Sequence, residues 1–152
     1  MKSICLKTIE IAKAYKLLAE PVYQNLGDAD RVKLWKISRK LFPIATKYAE
    51  EFQSAQQSLK PSDETMEKFK LAMQYEEAKE KKTQLPMTEE EYQDILKEWK
   101  HYQGLLKEAM KDIENKENAL EIEPLSDEAV GKLMSSNKWT FAQMDVVSFI
   151  VE

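Results

Sequence analysis

The 152-residue chain is 43% apolar and 33% charged, with net charge −4 and only three glycines and five prolines. That profile predicts one domain rich in helix formers with a charged exterior, and excludes a fold built on many tight turns. A single cysteine excludes an intrachain disulfide and any cysteine-based metal site.

In chain order, "KSICL" (2–6) alternates Ile4 and Leu6 on one side and reads as a short strand or a fraying helix. "KTIEIAKAYKLLAEPVY" then spaces Ile11, Tyr15, Leu18 and Val22 as a helix, with Thr8 as N-cap and Pro21 as terminator. "NLGDAD" (25–30) is a break, where Gly27 permits a left-handed turn and Asp28 caps the next helix. That helix, over 29–59, presents Leu34, Ile37, Leu41, Ile44, Tyr48, Phe52, Ala55 and Leu59 at steps of three and four. Trp35, Phe42, Ala45 and Ala49 widen the stripe on one flank. Pro43 falls inside the pattern without changing its phase, which predicts a kink rather than a break. The segment "RVKLWKISRKLFPIATK" (31–47) carries six basic residues and no acid. Lys33, Lys36, Lys40 and Lys47 lie largely opposite the stripe, so amphipathicity accounts for them without a ligand.

"LKPSDE" (59–64) is a turn in which Ser62 caps a helix over about 63–83 and Asp63 and Glu64 occupy its first turn. Met66, Phe69, Met73 and Ala78 are expected to point inward, with Leu71 and Tyr75 blurring the face. Thr88 and Glu91 form a T-x-x-E capping box that opens a second long stripe: Tyr92, Ile95, Leu96, Trp99, Tyr102, Leu106, Ala109, Met110 and Ile113. "ALEIEPLS" alternates as a half-buried strand over 119–123, with "KSICL" as its only candidate partner in the sequence; so small a ribbon must rest on a helix or pair across a dimer. Ser126 and Thr140 each start a short helix, and the closing "FAQMDVVSFIV" is apolar on most sides.

The expected fold is therefore mainly α, one domain over 1–152. A long antiparallel helical hairpin or bundle with coiled-coil-like packing spans 28–118, between an amino-terminal strand and helix (1–26) and a carboxy-terminal strand with short helices (119–152). Charge favours this packing, since residues 1–60 carry 11 Lys+Arg against 6 Asp+Glu and residues 61–118 carry 10 against 15.

Chemistry-bearing patterns are few. His101 is the only histidine and reads as a helix-surface residue; Glu89, Glu90 and Glu91 read as first-turn partners of a helix dipole rather than a metal site. Cys5 reads as a small buried hydrophobe, and no Gly-rich phosphate loop is present. No catalytic, cofactor-binding or metal residues are assigned, and no small-molecule substrate is evident. No apolar run approaches the ~20 residues of a membrane span and nothing resembles a signal peptide, so the cytoplasm is the expected compartment.

Four segments in order, "TIEIAKAYKLL" (8–18), "WKISRKLFPIATKYAEEFQSAQQSL" (35–59), "ALEIEPLS" (119–126) and "WTFAQMDVVSFIVE" (139–152), resemble a group of small uncharacterised helical proteins of tailed phages and prophages. The resemblance covers about half the chain and departs from that pattern over 61–118. It implies a phage or prophage context, such as virion assembly or host interaction, and carries no functional residues. The expected role is a non-enzymatic structural or protein-interaction protein that self-associates, with Trp139, Phe141, Val146 and Phe149 as contact residues. The alternative is a nucleic-acid-associated regulator using Lys33, Lys36, Arg39 and Lys40, whose cations could release counterions from phosphates.

Overall fold

A computed structural model describes residues 1–152. Six α-helices and two strands follow in the order β1 (Lys2–Lys7), α1 (Thr8–Leu18), α2 (Asp28–Ser58), α3 (Asp63–Lys81), α4 (Glu89–Asn115), β2 (Glu117–Ile122), α5 (Asp127–Asn137) and α6 (Phe141–Val146), and a 3-10 turn (Ser148–Ile150) closes the chain. The fold is mainly α, as expected. The chain forms two compact units, Met1–Glu51 with Asp112–Glu152, and Phe52–Lys111.

In the first unit, β1 and β2 form the two-stranded antiparallel ribbon within one chain, Ile4 opposite Leu120 and Cys5 opposite Ala119. Ile4 and Leu6 turn toward the core while Ser3 and Cys5 face out. Cys5 is therefore exposed rather than buried, because the two-residue period that buries its neighbours sends it to the other face. Thr8 is not an N-cap. It is the first helical residue, since the strand runs directly into α1; the Glu10 carboxylate accepts the Lys7 N–H at 2.7 Å, and the Thr8 N–H donates to the Lys116 carbonyl at 2.9 Å. Asn118 closes this junction, its amide donating to Thr8 Oγ1 (3.0 Å) and to the Leu6 and Lys116 carbonyls.

The core of this unit joins Ile11, Ala14 and Leu18 of α1 to Leu34, Ile37 and Leu41 of α2, Ile122 and Leu125, Val130 and Leu133 of α5, and Val147, Phe149 and Ile150. Between Leu34 and Leu41 the α2 stripe is thus covered by α1, α5 and the carboxy-terminal turn. These short apolar elements supply the surface that the stripe needs. The chain end is tied down by a bridge between Leu125 and Val151, with Leu125 N–H donating to Ile150 at 2.7 Å and Glu152 N–H to Leu125 at 3.1 Å. Lys2 Nζ adds bonds to the Val151 (2.9 Å) and Phe149 (3.3 Å) carbonyls. Pro43 sits inside an unbroken α2. Gly27 has no positive φ, so the turn before α2 is built without a left-handed residue.

In the second unit, Ser62 caps α3 by accepting the Thr65 N–H at 3.2 Å, and Thr88 accepts the Glu91 N–H at 3.2 Å ahead of α4. Lys82 takes the left-handed conformation that ends α3. The inward face of α3 differs from expectation: Tyr75 is buried with Phe69, and Met73 is 70% exposed. Aromatic pairing decides this. Tyr75 stacks on Tyr92 at 4.4 Å, and Phe69 meets Trp99 edge-on at 5.0 Å, which rotates Met73 off the contact face. No helix is long and apolar enough to cross a membrane.

Candidate partner-binding surface

The connection between α1 and α2 is irregular yet held at several points. Leu26 is buried, and the Leu26 N–H donates to the Tyr23 carbonyl at 3.0 Å. Asn137, the last residue of α5, clamps the middle of this connection. Its Oδ1 accepts the Val22 N–H at 2.7 Å, and its Nδ2 donates to the carbonyls of Val22 and Leu133, both at 2.8 Å. The side-chain amide thus pairs with the N–H and the carbonyl of one residue, as a strand neighbour would. From α2, Arg31 Nε donates to the Leu26 carbonyl at 3.1 Å and Ser38 Oγ to the Leu18 carbonyl at 3.0 Å.

These ties leave a groove of about 320 Å³ between the end of α1, the connection and α2, walled by Leu18, Pro21, Tyr23, Val32, Leu34 and Trp35. Val32 and Tyr23 are exposed, and the Trp35 indole is 61% exposed. Ser38 and Arg31 already bond to main-chain carbonyls, so the wall presents chiefly aliphatic and aromatic surface. Trp35 follows Leu34 by one residue, about 100° around the helix, and this places it outside the buried stripe. Phe42 is likewise exposed, with the Arg39 guanidinium 5.3 Å above its ring. The wide stripe expected for α2 therefore narrows to Leu34, Ile37, Leu41 and Ala45.

The basic residues of α2 over 31–40 divide into two groups. Lys33 pairs with Glu123 at 3.7 Å, and Lys40 Nζ donates to the Glu121 carbonyl, so both are tied to the acidic end of β2. Arg31, Lys36 and Arg39 have no carboxylate partner, and all three are exposed. Lys36 and Arg39 border a neighbouring depression with Trp35, and Arg31 lines the groove itself. The expected polyanion-binding set thus splits. Two members are occupied within the chain, while Lys36 and Arg39 stand beside exposed aromatics, which the helical pattern had placed on the apolar side.

The expected contact residues of the carboxy-terminal segment do not form one surface. Phe149 is buried, 9% exposed; Val146 and Trp139 are half-buried against the core; only Phe141, at 84%, is open. The apolar tail serves mainly as core, because Val147, Phe149 and Ile150 join α1 and α2 in one buried cluster and α6 packs on α1.

In the second unit, Ala72, Met73, Ile95, Leu96 and Trp99 border a smaller groove of about 240 Å³ between α3 and α4. The Tyr75 hydroxyl donates to Glu89 and the Tyr92 hydroxyl to Glu76. The bond to Glu76 holds the Tyr92 hydroxyl up at about 12, and the Tyr75 bond raises that phenol while lowering the Glu89 carboxyl. In the first unit, burial and then the Glu114 charge push Tyr48 up to about 12, with its hydroxyl 3.1 Å from that carboxylate. These are phenol–carboxylate pairs that lock helices together, in which the phenol stays protonated and donates. His101 is exposed on α4, and no three His, Cys, Asp or Glu side chains converge as metal ligands would. No family model matches the chain, and neither the curated proteins nor the solved structures include a detectable relative.

Proposed function

We propose that the chain is a non-enzymatic protein-interaction module of a phage or prophage, acting in the cytoplasm and able to self-associate. One observation carries this reading: with both units folded, large apolar side chains remain open beside shaped grooves, Trp35 on α2 and Met73 on α3 foremost. Scattered exposed hydrophobes are ordinary, whereas apolar surface gathered around a concavity marks a contact site. A second reading, a nucleic-acid-associated regulator, draws on Lys36 and Arg39 lying beside the open rings of Trp35 and Phe42. Bases stack on such rings while cations meet phosphates.

A photo-crosslinking residue placed at Trp35, Met73, Phe141 and, as a control, the exposed polar Gln56 tests the proposal in cells carrying the gene. A discrete protein adduct at Trp35 or Met73 and none at Gln56 is expected. Adducts only to nucleic acid favour the second reading, and no discrete adduct at any position refutes the interaction role.

A further inference from the structure

We infer that the groove between α1 and α2 takes an acidic peptide segment that inserts a bulky apolar side chain against Trp35. The inference rests on the interaction role above and names the chemistry of the partner at one of its surfaces. The groove volume, about 320 Å³, suits one or two large side chains, and its walls are Leu18, Pro21, Val32, Leu34 and the two rings of Tyr23 and Trp35. Such a site rewards an aliphatic or aromatic anchor.

Charge complementarity supplies the second half of the argument. Arg31 lines the groove, and Lys36 and Arg39 line the neighbouring depression that shares Trp35 and is also bordered by Glu123; none of the three is paired with a carboxylate. Elsewhere on the same helix the cations are satisfied by the chain itself, Lys33 by Glu123 and Lys47 by Glu51. The cations of 31–47 with no contact to Glu51, Glu121 or Glu123 are therefore Arg31, Lys36 and Arg39, which border the two depressions that share the open indole. Acidic residues flanking the anchor would complete these pairs, and the opposed potentials would speed association.

A polynucleotide fits less well. Binding to a polynucleotide draws its affinity from many phosphate contacts, about 6–10 where it is strongly salt-dependent. Arg31, Lys36 and Arg39 fall well short of that. A peptide needs only two or three carboxylates to match the same cations.

The test is selection from a random dodecapeptide library displayed on beads against the full chain, with counter-selection on Trp35→Ala. Trp35 is mostly exposed, so that variant keeps the fold. Peptides that survive should carry net negative charge and at least one Leu, Ile, Phe or Trp. The affinity of the best peptide should fall at least tenfold in Lys36→Glu/Arg39→Glu and should weaken as salt is raised from 50 to 300 mM. Survivors that are neutral or basic, or an affinity unmoved by the double charge reversal, overturn the acidic occupant while leaving a peptide site in place. If no peptide distinguishes the native chain from Trp35→Ala while a labelled twelve-residue oligothymidylate does, both the occupant and the protein-interaction role of this groove fall.

Discussion

Replacing Asn137 by alanine isolates what holds the α1–α2 connection and hence the groove. The native amide makes three hydrogen bonds, to Val22 N–H, Val22 carbonyl and Leu133 carbonyl, at 2.7, 2.8 and 2.8 Å. Each such bond contributes a net ~0.5–1.5 kcal/mol, and the freed groups lie near enough to solvent to recover part of it from water. The expected cost is about 2 kcal/mol, roughly a thirtyfold shift in the local opening equilibrium. Because Leu26 stays buried, opening should be confined to the stretch around Val22 rather than spread through the core. Hydrogen exchange read by mass spectrometry should show the peptide containing Val22 exchanging roughly thirtyfold faster, with α5 otherwise protected. Asn137→Asp should give no rescue. It keeps an acceptor for the Val22 N–H but sets a carboxylate against the Val22 and Leu133 carbonyls, at the negative end of the α5 dipole. If Asn137→Ala leaves exchange around Val22 unchanged and urea stability within about 0.5 kcal/mol, burial of Leu26 alone positions the connection and the clamp is incidental.

Leu41→Ala, at a fully buried α2 position, should cost about 3–4 kcal/mol in urea denaturation, in the range found for large-to-small core changes. Phe141→Ser should leave the melting temperature nearly unaltered, whereas Phe149→Ser, a few residues on, should lower it by many degrees; equal effects would contradict the exposures at the two sites. For Tyr48, a folded-state pKa raised to about 12 from 10.0 means that the native state holds a proton the unfolded chain releases. Its contribution is complete below pH 10 and is lost as pH rises from 10 toward 12. Urea midpoints at pH 9 and 11.5 should therefore fall less steeply in Tyr48→Phe than in the native chain, and parallel slopes would refute the raised pKa that burial and Glu114 give this phenol.

Much of the secondary structure is legible in the residues alone, because its signals are local. Ser62, Thr88, Ser126 and Thr140 each accept the backbone N–H three residues on, as their placement before apolar runs implies. The alternation of Ile4 and Leu6 with that of Leu120 and Ile122 anticipates the ribbon. Thr8 escaped the same logic because a strand runs straight into α1 and leaves no separate capping residue.

The site was only half visible. The basic run in 31–47 can be read directly, yet which cations remain available depends on Glu121 and Glu123, over 80 residues away, arriving beside Lys33 and Lys40. The helical pattern puts Trp35 on the flank of the apolar stripe, since periodicity allows a face as wide as its residues suggest. How wide the buried face is depends on what covers it.

By itself, then, the sequence determined a mainly helical chain, the starts of several helices and a candidate pair of strands, since capping, periodicity and alternation act over a few residues. Only the tertiary structure decided that α1, α5 and the carboxy-terminal turn join Leu34–Leu41 in one core, that the apolar tail is part of it, and that Trp35 stands open beside cations with no carboxylate partner. Those outcomes depend on which distant surfaces meet, and burial is a property of the pair in contact rather than of either segment.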